Sequence, residues 1–176
     1  MQVQFIDQKD FIKYKFKTKP YKHQYDAFLK CKDKESYALF MEQGTGKSKV
    51  IIDNIAYLYR EGKIDTAVIA APKGVYRNWL SSEFNTHMPD DVKEFTEMLV
   101  WSPTETKSNI ESLTNFLKPN HNLKFFIINI EALSTDKGKN YLHRLLNSSK
   151  AFFCVDESTN IKNRTARRTK ACLKLG

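Results

Sequence analysis

Five short apolar runs punctuate the chain, at residues 37–41, 66–71, 98–101, 123–130 and 151–155. They are nearly continuous and partly β-branched, the pattern of strands buried on both faces, as in a parallel sheet. Between them, apolar residues recur at helical spacing. Ile51, Ile55 and Leu58 predict a helix over 47–59, stopped by Gly62. Tyr76, Trp79, Leu80 and Phe84 predict one over 75–84, and Ile110, Leu113 and Leu117 one over 104–117. Tyr141, Leu142, Leu145 and Leu146 predict a fourth over 139–146. Upstream, Tyr25, Phe28 and Leu29 share one side of a helix expected over 21–32, behind Pro20. Val3, Phe5, Ile6, Phe11, Ile12, Tyr14 and Phe16 suggest short extended pieces before it, and the weakly patterned residues 85–97 suggest a loop. This strand–helix alternation predicts an α/β fold with right-handed crossovers and ligands at the carboxyl ends of the strands.

The first run leads into Met41-Glu42-Gln43-Gly44-Thr45-Gly46-Lys47-Ser48, and the helix expected over 47–59 follows. Strand, glycine loop, Lys-Ser and helix together form a cradle for the phosphates of a nucleoside triphosphate. Gly44 and Gly46 let the backbone approach closely with its N–H groups turned inward. Lys47 would reach the β- and γ-phosphates, and the Ser48 hydroxyl suits a bound magnesium ion. The strict pattern places glycine where this chain has Met41, so the signal rests on Gly44-x-Gly46-Lys47-Ser48 and its context.

The last run ends in Phe152-Phe153-Cys154-Val155-Asp156-Glu157. Two carboxylates at the end of a buried strand suit nucleotide hydrolysis. The first holds magnesium, usually through its water shell, and the second orients or deprotonates the attacking water. Alone, an acidic pair at a strand end is common; paired with the glycine loop it acquires a function.

Composition narrows the setting. The chain has 176 residues, for which one domain is the natural count, and its hydrophobic content of 41% is ordinary for a soluble globular protein. No segment approaches the ~18 apolar residues of a membrane span, and the first residues lack the apolar core of a secretory signal. Cys31, Cys154 and Cys172 are scattered, which suits a reducing cytoplasm and argues against a disulfide or zinc framework. Cys154 is expected to pack as a small hydrophobe. A net charge of +9 favours polyanionic partners such as nucleic acid. Trp79 lies on an apolar helical stripe and is expected in the core. His87, His121 and His143 lack ligand spacing and are expected at the surface.

Asp156-Glu157-Ser158-Thr159-Asn160-Ile161-Lys162-Asn163 resembles the Asp-Glu-x-x-x-x-Lys-Asn signature of the Snf2-like branch of superfamily 2 helicases and translocases. Val68-Ile69-Ala70-Ala71-Pro72, with Asn78-Trp79 downstream, resembles that family's motif Ia. Ile127-Ile128-Asn129-Ile130-Glu131-Ala132-Leu133 is similar to motif Ib, and His23-Gln24 to the Q motif. The resemblance covers roughly residues 19–176. It implies a RecA-like P-loop domain with a mainly parallel central sheet flanked by helices, behind an extension at 1–18. It implies ATP and Mg2+ as cofactors, with Gln24 reading the adenine edge and Gly44, Thr45, Gly46 and Lys47 on the phosphates. Ser48 and Asp156 would serve the metal, with Glu157 as the catalytic carboxylate. Lys73, Gly74 and Arg77 after motif Ia, Ser134 and Lys137 after motif Ib, and Arg164 in the basic run of Arg167, Arg168, Lys170 and Lys174 would contact a nucleic-acid backbone, DNA in preference to RNA.

Two features depart from the resemblance. Ser158-Thr159 stands where many relatives carry Ala-His, and the chain stops at Leu173-Lys174-Leu175-Gly176, where motif III would begin. A second RecA-like domain, in cis or in trans, is therefore expected as a partner. The isolated chain is expected to turn ATP over slowly, because a missing arginine finger costs roughly 10³–10⁵ in rate. The competing reading is a nucleotide- or DNA-binding module without turnover of its own. A guanine-nucleotide hydrolase is disfavoured by the lack of an Asn-Lys-x-Asp tetrad.

Overall fold

The computed structural model describes residues 4–157 together with Ala166, Thr169, Lys170 and Cys172. The chain divides into two compact units, one formed by Met1–Lys63 and Trp79–Glu94, the other by Ile64–Asn78 and Phe95–Gly176.

The second unit is built on four parallel strands, β1 (Thr66–Ala71), β2 (Thr96–Val100), β3 (Leu123–Asn129) and β4 (Ala151–Val155), in the order β2-β3-β1-β4. Thr-Ala-Val-Ile-Ala-Ala in β1 is buried throughout, as its lack of alternation requires. Its small side chains flank the bulkier Phe125, Phe126, Ile127 and Ile128 of β3, which are also fully buried. One face of the sheet packs Val68, Ala70, Phe126 and Ile128 against Phe116 of α7 (Lys107–Phe116) and Tyr141, Leu142 and Leu145 of α8 (Asp136–Asn147). Both helices start at threonine caps: Thr106 accepts from the N–H of Asn109, and Thr135 from that of Gly138. The short helix α4 (Tyr76–Asn78) follows β1, and a 3-10 turn (Ile130–Ser134) follows β3.

The first unit holds α1 (Gln8–Tyr14), α2 (Lys22–Cys31), α3 (Lys47–Arg60), a π-turn (Trp79–Glu83), α5 (Phe84–His87) and α6 (Asp90–Lys93). Its core is aromatic: Phe16, Tyr25 and Phe28 cluster with Ile6, Cys31 and Val50, and the Phe16 and Phe28 rings meet edge-on at 5.2 Å. Trp79 is buried, as its apolar stripe predicts.

The strands at 66–71 and 151–155 match their predicted bounds, and the helices at 21–32, 47–59, 104–117 and 139–146 are present with shifted ends. Four local expectations are corrected. Residues 37–41 form no strand: Leu39 and Met41 pack on the aromatic cluster, while Phe40 is 97% exposed. Residues 8–14 are helical rather than extended. Asp7 caps α1 by accepting from the N–H of Lys9, and Phe11 and Tyr14, one turn apart, both face the cluster. The supposed loop at 85–97 contains the end of α5, all of α6 and the start of β2, and the helix expected over 75–84 is interrupted by the π-turn.

Gly138 lies where α8 meets the 3-10 turn; a Cβ there would sit 2.4 Å from the carbonyl oxygen of Ala132. Gly138→Ala should destabilise the protein by about 1–3 kcal/mol through this overlap, despite alanine's better helix propensity. A denaturant midpoint equal to or above the parent's would refute the close packing.

Candidate functional site

The phosphate-loop candidate lies in the first unit. Gly44 and Gly46 have φ of 77° and 84°, in the left-handed region that glycine enters at little cost. Gly46 is the N-cap of α3, so the loop runs onto the N-terminus of a 14-residue helix. The N–H groups of that first turn have no intrahelical partners, and the helix dipole favours an anion there. Thr45 Oγ1 donates to the carbonyl of Glu42 at 2.7 Å, closing the loop on itself. The Lys47 ammonium folds back, donating to the carbonyls of Met41 and Glu42 at 3.0 and 2.9 Å.

Gln24 is buried in α2 and clasps this loop. Its Oε1 accepts from the Tyr21 N–H at 3.0 Å, and its Nε2 donates to the Thr45 carbonyl at 3.0 Å. His23 Nε2 lies 3.0 Å from the same carbonyl, which requires that nitrogen to carry the proton. Gly46 is needed here for a second reason, since a Cβ would lie 2.3 Å from Gln24 Nε2. Each end of the Gln24 amide keeps one hydrogen-bonding position beyond those used.

A buried ion pair follows directly after Ser48. Lys49 Nζ lies 2.7 Å from Asp53 Oδ2 one turn along α3, both nearly sealed from solvent. Burial pushes the Asp53 carboxyl up to about 6, against the pull of Lys49. His87 is no surface histidine. It is half-buried, its Nδ1 lies 2.8 Å from Thr18 Oγ1, and burial followed by the Lys49 charge pushes it down to about 4. The pair had a faint sequence signal, a lysine and an aspartate four apart among Val50, Ile51, Ile52 and Ile55. The histidine contact had none, because it joins positions 69 apart.

In the second unit, the candidate residues gather at the carboxyl edge of the sheet. β1 pairs with β3 on one side and β4 on the other, with Ala71 opposite Asn129 and Ala70 opposite Val155. The Asp156 N–H donates to the Ala70 carbonyl at 2.9 Å, carrying the ladder one residue past β4. Glu157 follows with φ of 51°, a left-handed conformation that costs a non-glycine residue about 1–2 kcal/mol. Its N–H donates to Asp156 Oδ1 at 2.9 Å. Strain of this kind clusters at functional positions. Cys154 is half-buried in β4, and burial, with Asp156 nearby, pushes its thiol up to about 12.

Lys73, Gly74 and Arg77 follow β1, with Lys73 and Gly74 exposed. Arg77 leans on the Tyr76 ring, and the Lys73 N–H reaches Glu131 Oε1 at 3.5 Å, tying the segment after β1 to the one after β3. Asn129 caps the 3-10 turn by accepting from the Ala132 N–H, placing Ser134 at its end. Lys137 is paired with Glu105 at 2.9 Å and donates to the Pro103 carbonyl, an engagement the sequence did not signal. Arg164, the basic residues Arg167, Arg168 and Lys174, and 158–163 of the Asp-Glu run lie outside the described residues.

Four parallel strands flanked by helices make an α/β fold consistent with a RecA-like domain. The family described as type III restriction enzyme, res subunit (ResIII), matches residues 8–174, and the chain belongs to that family of superfamily 2 helicase motor domains. No curated protein matches the chain. Among the described residues, no helix is long and apolar enough to cross a membrane.

Two outcomes test this geometry. Gln24→Glu keeps the side-chain shape but loses the donor to Thr45; it should cost about 1–3 kcal/mol in denaturant unfolding near neutral pH. An unchanged midpoint would remove the clasp. His87 has a folded-state value depressed below the unfolded 6.5, so the folded state loses stability as pH falls from about 6.5 to 4. Asp53, raised from 3.8 to about 6, acts in the opposite sense over much of that range. His87→Gln should therefore gain in melting temperature relative to the parent as the pH is lowered through this window; parallel melting curves would refute the assignment.

Proposed function

We propose that this chain is a motor lobe of an ATP-dependent DNA translocase or helicase of the Snf2-like branch. The observation that carries this reading is the loop at Gly44 to Ser48, with left-handed glycines, a helix N-terminus and an adjacent lysine. Membership of the ResIII family and the Asp-Glu-x-x-x-x-Lys-Asn run at 156–163 support it.

The residues fit a magnesium nucleotide. The loop offers backbone donors to an anion, and the Ser48 hydroxyl follows as the first helical turn begins. Lys47 now bonds to neutral carbonyls and would exchange them for phosphate oxygens, whose bonds are charge-assisted and stronger. Gln24 holds the Thr45 carbonyl, which orients the loop, and its spare amide positions would meet the adenine edge. Ser48 and Asp156 would serve the magnesium ion, whose charge offsets that of the phosphates. Glu157 would align the attacking water and accept its proton. Lys73, Gly74, Arg77 and Ser134 would hold a nucleic-acid backbone without reading sequence. Lys137 would join them only by loosening its pair with Glu105. A second RecA-like domain, in cis or in trans, would complete the site with an arginine, so this lobe alone would turn over slowly.

The chain should bind a fluorescent ATP analogue in the presence of Mg2+, and Lys47→Ala should weaken that binding at least about tenfold. With DNA and a second motor domain supplied, Glu157→Gln should lower turnover by roughly 10²–10⁴ while leaving nucleotide binding in place. Turnover that survives both substitutions would overturn the site. DNA and nucleotide binding without turnover in any assembly would favour a binding module.

A further inference from the structure

The first unit carries a cleft of about 700 Å³ that the nucleotide reading does not use. Lys13, Lys15, Lys32, Arg60, Tyr14 and Tyr57 line it, with Glu61 and Asp91 as the acidic part of its wall. Its basic rim arises from a local alternation. In Lys13-Tyr14-Lys15-Phe16, the aromatic residues turn into the core cluster and the lysines face solvent.

Arg60 is structural. Its Nε and Nη2 donate to Asp91 at 2.9 and 2.6 Å, and its Nη1 and Nη2 donate to the carbonyls of Tyr14 and Lys15 at 3.1 and 3.3 Å. This clamp holds the turn at Lys15, whose φ is 51° at the end of α1. Among the described residues only Lys15 and Glu157 combine a side chain with a positive φ. Glycine or asparagine would cap this helix with less strain; what lysine adds is an ammonium on the cleft wall.

Of the acidic groups in and near the cleft, Asp91 and Asp33 are committed, and Glu61 has no ion pair among the described residues. Asp91 is held by Arg60. Asp33 accepts from Lys32, from Lys63 at 3.3 Å and from the Tyr57 hydroxyl at 3.3 Å. Lys13 and Lys15 have no ion pair among the described residues. The ring faces are occupied too: Lys13 lies over Tyr14 at 5.0 Å, and Lys32 and Lys63 over Tyr57 at 4.9 and 5.4 Å. The cleft thus presents surplus ammonium groups and no bare aromatic platform for a base, a chemistry that takes phosphates and ignores sequence.

We propose that this cleft is a second nucleic-acid contact, separate from the segments after β1 and β3, in which Lys13 and Lys15 grip backbone phosphates and Lys32 joins them by exchanging its pair with Asp33 for a phosphate. It rests on the reading that the protein works on nucleic acid. It adds a nucleotide-independent anchor on the unit that carries the phosphate loop.

The test is binding of a fluorescent DNA duplex of mixed sequence to the full chain across a range of salt. Combined Lys13→Gln, Lys15→Gln and Lys32→Gln should weaken binding about tenfold and make the slope of log affinity against log salt shallower by roughly 2, near 0.9 for each phosphate no longer neutralised. The matching Lys→Arg combination should restore the slope, which separates removal of charge from failure to fold. Without any substitution, DNA should protect Lys13, Lys15 and Lys32 from amine acetylation, read by mass spectrometry, whereas polyglutamate should not. An unchanged slope with DNA binding abolished by Lys73→Gln and Arg77→Gln would overturn the cleft and leave the motor reading intact. Absence of DNA binding by the parent chain would overturn both. Equal protection by polyglutamate would point to an acidic protein partner and also overturn the proposal.

Discussion

The parallel pairing of β1 with a strand on each side is the constraint on which the second unit depends. A strand hydrogen-bonded on both edges is fixed by two ladders at once, and a shift of one residue would exchange the side-chain volumes packed on its two buried faces. The register sets Ala71 opposite Asn129 and Ala70 opposite Val155, so three loops leave the sheet at one level. The segment with Lys73 and Arg77, the turn ending at Ser134 and the Asp156-Glu157 pair share an edge for that reason.

The first unit meets a similar demand with fewer backbone pairings. Its glycine loop has no strand behind it. It is held by side chains: the Gln24 amide on the Thr45 carbonyl, His23 beside it, and Thr45 on Glu42. Behind the loop, the Lys49–Asp53 pair is sealed within α3. Such a pair adds little net stability, since desolvation offsets the attraction, but losing one partner strands a charge in the core. The helix that presents Ser48 is therefore intolerant of change one turn further on. The Arg60 clamp on the Tyr14-Lys15 turn belongs to the same style of construction, with one guanidinium satisfying two carbonyls and a carboxylate.

The local backbone geometry of the candidate segments was legible wherever it depended on short spacing. Gly44-x-Gly46-Lys47-Ser48 requires left-handed glycines before a helix, and both glycines have them. The run at 151–155 predicts a buried strand ahead of Asp156; β4 has the expected bounds but, as an edge strand, is only half-buried. Local patterning failed where two periods fit the same residues. Phe11 and Tyr14 suit an extended piece or a helix, and the Asp7 cap decided for the helix. Residues 37–41 have the composition of a strand, yet Leu39 and Met41 bury themselves on the aromatic cluster without a ladder.

Taken alone, the order of residues determined the class of fold, the glycine loop, the strand-end carboxylates and the basic balance, because each follows from neighbours a few positions apart. Tertiary structure decided what those groups touch. It put the Gln24 amide on the loop, His87 beside Thr18, Lys137 on Glu105, and Lys13 and Lys15 beside Lys32 on one cleft. These pairings join positions from 17 to 69 apart. No local propensity encodes them; they exist only once hydrophobic burial has folded each unit around its own core.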